Sequence, residues 1–273
     1  MNITRRIHLN PQSKGGLGKS FETEFRVAWL QWLGIPWSGS DLDDRHHTFR
    51  DRHPDRVQSH RLGNVQESKA TLLNLFRRLP AMKEAVHVMD CRAQADDLIL
   101  STLEELQVLT TLAEAGVRFT FLLFPSEDTE SMNNLMDLFE FAGDRVDYLI
   151  IQNPARVRTD LFTGSGLEGE LKKFGARTLV LPSITPVTLL AIKRAELKAR
   201  RKLSFAEAAR LEAGHLERML AGEMQWGMQK MFPQYQEAAE LLVPEDWIPE
   251  RADVQPQPAV AQSPTQRSLN LGE

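Results

Sequence analysis

The sequence predicts an α/β fold in three layers, with a mostly parallel sheet between helices and further helices towards the C-terminus. Two observations lead to this prediction. Short, almost purely apolar runs, typical of strands buried on both faces, alternate with longer amphipathic stretches, typical of helices. A glycine-rich segment at residues 13–20 joins the first apolar run to the first amphipathic stretch. In sheets of this kind, ligands bind at the carboxyl ends of the strands.

The strands are predicted from apolar runs that end at polar or turn-forming residues. A first strand contains Ile7 and Leu9. A short second strand is predicted at residues 37–42, although proline and glycine make that segment a poor strand. The later runs are more continuous. They predict strands at residues 85–90, 117–124, 147–152 and 178–181.

Amphipathic stretches occupy the segments between these strands and predict helices. One begins after the glycine-rich segment, and others lie at residues 65–79, 96–115 and 127–142, with a short helix after residue 153. The residues expected to face inward are Phe21, Phe25, Ala28, Trp29 and Trp32 in the first helix, and Leu72, Leu73, Phe76 and Leu79 in the second.

Residues 45–61 are predicted to form a polar loop. Four of the seven histidines lie there among several arginines: His46, His47, His53 and His60. One interpretation is a metal site, but no histidine pair has the helical spacing with a third ligand that zinc requires. The other interpretation is a solvated loop near a phosphate, in which arginines hold the phosphate or a partner. His87, inside an apolar run, is predicted to be a core histidine.

From Pro186 onward the pattern is almost purely helical. A helix at residues 187–202 carries one acid, Glu196, and six basic residues. Further helices are predicted at 204–220, where a Ser-x-x-Glu capping box begins, and at 223–242, with a break near Pro233. The basic residues are Lys193, Arg194, Lys198, Arg200, Arg201 and Lys202.

Residues 13–20 read Ser-Lys-Gly-Gly-Leu-Gly-Lys-Ser. A phosphate-binding P-loop has this form in sequence: a strand, a glycine-rich loop that ends in Gly-Lys-Ser, and then a helix. Its glycines let backbone amides point at phosphate oxygens, and the helix N-terminus adds partial positive charge. In such a loop Lys19 reaches the β- and γ-phosphates and Ser20 lies on Mg²⁺. The common pattern has glycine where Ser13 stands, and the alternative is a chance glycine-rich loop.

Acidic and amide side chains follow several predicted strands. Asp41 and Asp43 end the second strand, Asp90 ends the strand at 85–90, and Asn153 follows the strand at 147–152. Because the carboxyl ends of parallel strands share one edge, these residues and the loop are expected to meet in one crevice. There Asp90 has the form of the acid that holds Mg²⁺ through water. The alternatives are that Asp41 and Asp43 cap a turn and that Asp90 caps a helix.

The composition is that of an ordinary globular protein. The 273 residues are 42% hydrophobic and 26% charged, enough for one large α/β domain or two small ones. A net charge of −4 disfavours a protein that coats nucleic acid, and Cys91, the single cysteine, excludes an internal disulfide and suits a reducing cytoplasm. Neither a secretory signal nor an apolar run of membrane-spanning length is present, so the expectation is a cytoplasmic protein without a membrane partner.

Three segments resemble the ParA/MinD family of ATPases, which carries a deviant P-loop. Residues 14–20 match Lys-Gly-Gly-x-Gly-Lys-Ser/Thr, residues 41–43 match its Asp-x-Asp, and residues 90–91 match its Asp strand end. The resemblance covers about residues 5–185, and the first motif is the most specific. Residues 41–49 look most like the plasmid-encoded branch associated with conjugal transfer and plasmid stability.

The resemblance implies a Mg²⁺-dependent ATPase that holds two ATP molecules between two subunits, as a nucleotide-dependent homodimer. In it Lys14 reaches the partner's phosphates and Lys19 those of its own nucleotide. Ser20 ligates Mg²⁺, Asp41 holds a Mg²⁺-bound water, and Asp43 positions the attacking water. The residues expected at the nucleotide are Gly15, Gly16, Leu17, Gly18, Lys19, Ser20, Phe21, Asn153 and Pro182. The residues expected at the metal are Ser20, Asp41 and Asp90.

The domain prediction follows from the motif. Residues 1–186 are expected to form the nucleotide-binding α/β domain, residues 187–248 a helical extension packed on it, and residues 249–273 a disordered tail rich in Pro, Gln and Ser. The basic helix at 193–202 is either a solvated face or a weak, nonspecific DNA contact. A protein adaptor is the other expected partner. The rival functions are a nucleotide-binding scaffold without hydrolysis and a MinD-like positioning ATPase, which needs a C-terminal amphipathic helix.

Overall fold

The computed structural model describes residues 2–12, 14–43, 47–91, 96–158, 161–211 and 214–248. Its described strands form one seven-stranded sheet in the order β3-β2-β4-β1-β5-β6-β7, and each neighbouring pair runs parallel. The predicted parallel α/β fold is confirmed. The strands are β1 (Arg5–Leu9), β2 (Trp37–Asp41), β3 (Val57–Ser59), β4 (Val86–Asp90), β5 (Val117–Leu123), β6 (Asp147–Gln152) and β7 (Arg177–Val180).

Helices cover both faces of this sheet. Side chains of β6 alternate between the two layers, so that Leu149 and Ile151 join one hydrophobic cluster while Tyr148 and Ile150 join the other. One cluster contains α1 and α8–α11, and the other contains α3–α7. The helices are α1 (Lys19–Trp32), α2 (Thr48–Arg52), α3 (Val65–Arg78), α4 (Asp96–Glu105), α5 (Val108–Glu114), α6 (Thr129–Ala142), α7 (Gly166–Lys173), α8 (Pro186–Ala199), α9 (Phe205–Ala208), α10 (Gly214–Glu237) and α11 (Ala239–Leu242).

The prediction of a polar loop at 45–61 is wrong for about half of its length, which forms α2 and β3. Two buried apolar side chains organise the segment: Phe49 in α2 stacks on Trp37 with ring centroids 6.2 Å apart, and Val57 begins β3 beside β2. Their burial outweighs the charged composition that suggested a loop. His46 lies outside the described residues.

Three helix predictions also need correction. The helix expected at 96–115 is two helices, interrupted where Gln107 adopts a left-handed φ of 47°. The helix expected at 204–220 is divided between the short α9, whose predicted capping box is present at Ser204, and the first part of α10, which begins at Gly214. The break expected at Pro233 is absent, because α10 continues through this proline to Glu237. In α3, Leu73 is exposed rather than inward-facing, while Leu72, Phe76 and Leu79 are buried as expected.

A buried polar network joins the C-terminal helices to α1 and to the sheet. Glu22 and Arg26 form an ion pair inside α1, and the hydroxyl of Tyr235 donates to Oε1 of Glu22 over 2.9 Å. Nη1 of Arg26 lies 2.6 Å from Nδ1 of His8, whose Nε2 is 2.7 Å from the carbonyl oxygen of Leu242. Burial and the charge of Arg26 hold the pKa of His8 well below its usual value, so this imidazole is neutral. Each polar side chain of this network therefore has a partner, as burial demands.

Candidate functional site at the carboxyl edge of the sheet

The loop after β1 is fastened to β5 by two buried amide side chains. Nδ2 of Asn10 donates to the carbonyl oxygen of Leu122 over 2.9 Å, and Nε2 of Gln12 donates to that of Phe124 over 3.0 Å. The amide of Phe124 in turn donates to Oε1 of Gln12 over 2.5 Å. Asn10 and Gln12 were not among the residues predicted at the site. Their pairing with the neighbouring strand gives them a structural role, which is to set where the glycine-rich loop begins.

Two glycines give this loop its path. Gly16 has a φ of 77° and Gly18 a φ of 100°, both in the left-handed region that favours glycine. A Cβ on Gly16 would meet open space, whereas a Cβ on Gly18 would collide with Nδ2 of Asn153. That amide donates to the carbonyl oxygen of Leu17 over 2.8 Å. Asn153, predicted at the nucleotide site, therefore lies directly against the loop.

Helix α1 begins at the end of the loop, with Gly18 as its N-cap and Lys19 as its first residue. The first intrahelical hydrogen bond joins the amide of Glu22 to the carbonyl oxygen of Gly18, so the amides of residues 19–21 lie in the unpaired first turn. The ammonium of Lys19 is buried and donates to the carbonyl oxygen of Gln12. The lysine is thus folded across the loop, where a phosphate group would lie in a P-loop.

The Ser20 hydroxyl faces Asp90 from the neighbouring strand. Ser20 Oγ lies 3.0 Å from Oδ2 and 3.3 Å from Oδ1 of Asp90. Asp41 is the register partner of Asp90 on the adjacent strand, so two buried carboxylates lie side by side next to the loop. The predicted metal residues Ser20, Asp41 and Asp90 are thus brought together.

The electrostatics of this acid pair suit a cation. Burial, and then the nearby Asp41 carboxylate, raise the pKa of Asp90 to about 7. Burial also raises the pKa of Asp41, although the backbone amides of Arg50 and Asp43 donate to it. Hard oxygen donors with uncompensated negative charge are what Mg²⁺ prefers, and a divalent cation would favour the ionised form of both carboxyls. The residues present therefore fit a Mg²⁺ site.

Asp41 also anchors the chain that follows it. Its Oδ1 accepts from the amide of Asp43 and its Oδ2 from the amide of Arg50, each over 3.0 Å. This geometry matches the alternative in which Asp41 caps a turn, and it is compatible with a bound water as well. Asp43, the expected water-positioning residue, is half-buried and follows the same strand end.

Lys14 contacts the segment between β5 and α6. Its ammonium forms an ion pair with Asp128 and lies 3.3 Å from Oγ of Ser126. Asp128 is the N-cap of α6 and accepts from the amide of Ser131 over 2.8 Å. Hydrogen bonds from Lys14 and Ser126 hold the pKa of Asp128 well below its usual value. The lysine predicted to act on a partner's nucleotide is therefore held by its own chain.

The other residues predicted at the nucleotide lie in the glycine-rich loop or close to it. Gly15 and Gly16 are exposed, and Leu17 is buried. Pro182 is buried just after β7, next to Leu181, whose Cδ1 would lie 3.6 Å from a Cβ on Gly18. The ring of Phe21 points elsewhere and packs on Phe25 and Phe205, with centroids 5.1 and 5.2 Å away.

The described histidines of the 45–61 segment have separate partners. His53 is buried with Glu24, His47 pairs with Ser59, and His60 pairs with Ser40. No group of three or more His, Cys, Asp and Glu within the described ranges could hold a metal ion. His87 is buried and bonded to Ser40, which confirms it as a core histidine.

The basic helix predicted at 187–202 is α8 and the turn after it. Four of its six basic residues line a groove together with residues of α2, the helix that follows Asp41: Lys193, Arg200, Arg201 and Lys202. Glu196, the single acid, is buried and pairs with Lys202 and Arg52. The basic segment and the acid pair are therefore linked through α2. Within the described part of the chain, none of the helices combines the length and apolar character needed to span a bilayer.

The sheet order, the glycine-rich loop between β1 and α1 and the neighbouring acids define an α/β protein of the P-loop NTPase fold class. No family model matches the chain, and no curated protein matches it significantly. Among solved structures it is similar to the MinD cell division protein of Aquifex aeolicus, at 13% identity and a TM-score of 0.41, over 82% of this chain and 97% of that one. It is also similar to the MinC:MinD complex of the same organism, at 12% identity and a TM-score of 0.42, over 82% and 96%.

Proposed function

We propose that this protein is a Mg²⁺-dependent ATPase of the ParA/MinD type, in which ATP binding drives two copies to pair and hydrolysis separates them. The observation that carries the proposal is the contact of Ser20 with Asp90 beside Asp41, at the mouth of a glycine-rich loop. The adjacency of unpaired backbone amides at the start of α1 and side-chain oxygens of Ser20, Asp41 and Asp90 supports a site for phosphate and a cation. Phosphoryl transfer needs this combination because its catalysis is mainly positioning and charge neutralisation.

The side chains have distinct roles in this proposal. The amides of residues 15–21 hold the triphosphate, and Lys19 leaves the carbonyl of Gln12 to contact the β- and γ-phosphates. Ser20 and Asp41 hold the metal directly or through water, with Asp90 behind them. When bound there, the metal would supply the positive charge that stabilises the transferring phosphate group. Asp43 positions the attacking water, while Asn153 and Pro182 lie on the adenine side.

Dimerisation enters through Lys14. In the proposed ATP-bound state this lysine exchanges the Asp128 carboxylate for phosphate oxygens of the partner's nucleotide. The free-energy cost of this exchange is small, because the ion pair between Lys14 and Asp128 that is lost is an exposed one. The charge needed for hydrolysis is then complete only in the dimer, so that turnover depends on pairing. We further propose a role in plasmid partition or conjugal transfer, on the resemblance of residues 41–49, and a cytoplasmic location.

The decisive test separates binding from turnover. Fluorescent ATP is titrated with Mg²⁺, and phosphate release is measured, for the parent chain and three variants. Lys19→Ala is expected to lose turnover by about 10²-fold or more with weaker binding, and Asp43→Ala to lose turnover while it retains binding. Lys83→Ala is the matched control, because Lys83 is exposed before β4 at the opposite edge of the sheet. Equal behaviour of the Lys19 and Lys83 variants would refute the proposed site.

The same assay distinguishes the rival functions. Saturable binding without turnover, with DNA present and absent, would favour the nucleotide-binding scaffold. ATP-dependent pelleting with liposomes would favour the MinD-like positioning ATPase. The tail that such a protein needs for membrane binding, residues 249–273, lies outside the described residues.

A further inference from the structure

A groove of about 760 Å³ lies between α2 and α8, on the side of the molecule next to the acid pair. It is walled by residues that are far apart in sequence, and its lining is mostly basic. Five cationic residues face two acids, Asp51 and Glu196. The cationic residues are Arg50, Lys193, Arg200, Arg201 and Lys202.

The two acids of the groove are already engaged. Glu196 is buried, accepts from Lys202 Nζ over 3.0 Å and accepts from the amide of Leu203 over 3.2 Å. Asp51 pairs with Arg50 over 3.2 Å. Lys193 and Arg200, in contrast, make no side-chain hydrogen bond or ion pair with any residue that the structure describes. The groove therefore presents unneutralised positive charge, which favours an acidic occupant.

The same surface is also apolar. Leu197 lines the groove and is 78% exposed, and Val187 and Leu190 on the same helix are 62% and 51% exposed. Residues 190 and 197 are two turns apart on α8, with Lys193 between them and Arg200 one turn beyond. Leu190, Lys193 and Leu197 thus alternate along one face of α8, Arg200 follows at its C-cap, and Leu197 is the leucine that lines the groove.

This alternation distinguishes between two acidic partners. The backbone of a DNA duplex offers phosphates but no apolar surface for exposed leucines, and its affinity comes from charge neutralisation. A protein segment that carries carboxylates beside apolar side chains would satisfy both parts of the face, because an amphipathic helix places its apolar residues in such a groove. The net charge of −4 for the whole chain also argues against a general affinity for nucleic acid.

The groove is connected to the acid pair by a short path. Arg50 lines the groove, and its backbone amide donates to Oδ2 of Asp41 over 3.0 Å. On the other side, Arg52 lies 3.7 Å from Glu196 of α8 and 3.8 Å from Glu24 of α1. A segment that shifts α2 against α8 would therefore shift the donor to Asp41.

We propose that the groove between α2 and α8 is the docking site for an acidic amphipathic segment of a partner protein, and that its occupation changes the ATPase rate through Arg50 and Asp41. The effect on the rate rests on the proposed function. The docking itself does not rest on the proposed function, because the groove is lined neither by the glycine-rich loop nor by the residues expected at the metal.

Binding is tested with a fluorescein-labelled peptide in which Glu and Leu repeat at helical spacing, and in parallel with a labelled DNA duplex, across a salt series. Anisotropy is read with the full chain, with and without ATP and Mg²⁺. The variants are Lys193→Glu with Arg200→Glu, and Leu197→Ser. Their controls are Lys83→Glu, which reverses an exposed charge at the far edge, and Met219→Ser, which removes a 73% exposed apolar residue from α10.

The expected result is saturable peptide binding that is about tenfold weaker in both groove variants and unchanged in both controls. Absence of peptide binding, or equal loss in the controls, would overturn the assignment. Duplex binding that falls with the charge reversals but not with Leu197→Ser would overturn it in favour of a nucleic-acid contact. Loss of self-association in Leu197→Ser would overturn it in favour of a second copy. Peptide binding without any nucleotide uptake would refute the proposed ATPase and leave the docking site intact.

Discussion

The replacement of Gly18 by alanine tests the close approach between the loop and Asn153. Two costs are expected. A left-handed φ costs a residue with a Cβ about 1–2 kcal/mol, and Gly18 has a φ of 100°. The new Cβ would also displace Nδ2 of Asn153 from the carbonyl oxygen of Leu17, and a buried hydrogen bond of this kind is worth about 1–2 kcal/mol. The variant should lose about 2–4 kcal/mol of unfolding free energy.

Gly16→Ala provides the matched control, because Gly16 also has a left-handed φ but a Cβ there would meet open space. Urea unfolding, followed by tryptophan fluorescence without nucleotide, should place Gly18→Ala about 1–2 kcal/mol below Gly16→Ala. In an Asn153→Ala background this difference should vanish, since the displaced amide is gone. If both glycine variants lose the same stability in the parent chain, the inferred packing of Asn153 against the loop is refuted.

Three other contacts give predictions of their own. Asp90→Asn should raise the unfolding free energy of the metal-free chain by about 2–4 kcal/mol above pH 7. Because the pKa of Asp90 in the folded chain is raised to about 7, this gain should develop between about pH 4 and pH 7. Urea unfolding in which the difference between variant and parent does not change with pH would contradict this prediction. Tyr235→Phe removes a donor from the buried Glu22 carboxylate and should cost about 1–3 kcal/mol of unfolding free energy in the same assay, whereas a neutral change would mean that the hydrogen bond contributes nothing. Asp128→Asn keeps an N-cap acceptor but removes the charge that holds Lys14, so sedimentation velocity should detect more ATP-dependent dimer, and an unchanged dimer fraction would count against the proposed role of Lys14.

The site could be anticipated from sequence because its parts are local. A glycine-rich loop between a strand and a helix is a contiguous motif, and acids at strand ends are placed by the periodicity of the strands themselves. Parallel strands then bring Asp41 and Asp90 into register without further information. Ser20 and Asp90 were both expected at a metal, but the hydrogen bond between them was not predicted.

Other features depend on pairing between distant segments. The segment at 45–61 was expected to be a loop because its composition is polar, yet Phe49 and Val57 find buried positions against β2. The polar side chains of Asn10 and Gln12 gain their function only from the carbonyls of β5, more than a hundred residues away. The secondary-structure propensity of a short segment does not depend on residues far away in the chain, so a local pattern in the sequence could not predict these contacts.

The sequence by itself determined the parallel α/β fold and the edge of the sheet where the glycine-rich loop and the acids meet, because both follow from periodicity and a contiguous motif. Only the tertiary structure decided that Lys14 is held by Asp128, that Tyr235 closes a buried network on α1, and that α8 faces α2 across a basic groove. These three features depend on which buried polar groups and which charges gain a partner in the folded chain. The partners come from segments far apart in the sequence, so they are decided only when those segments pack together.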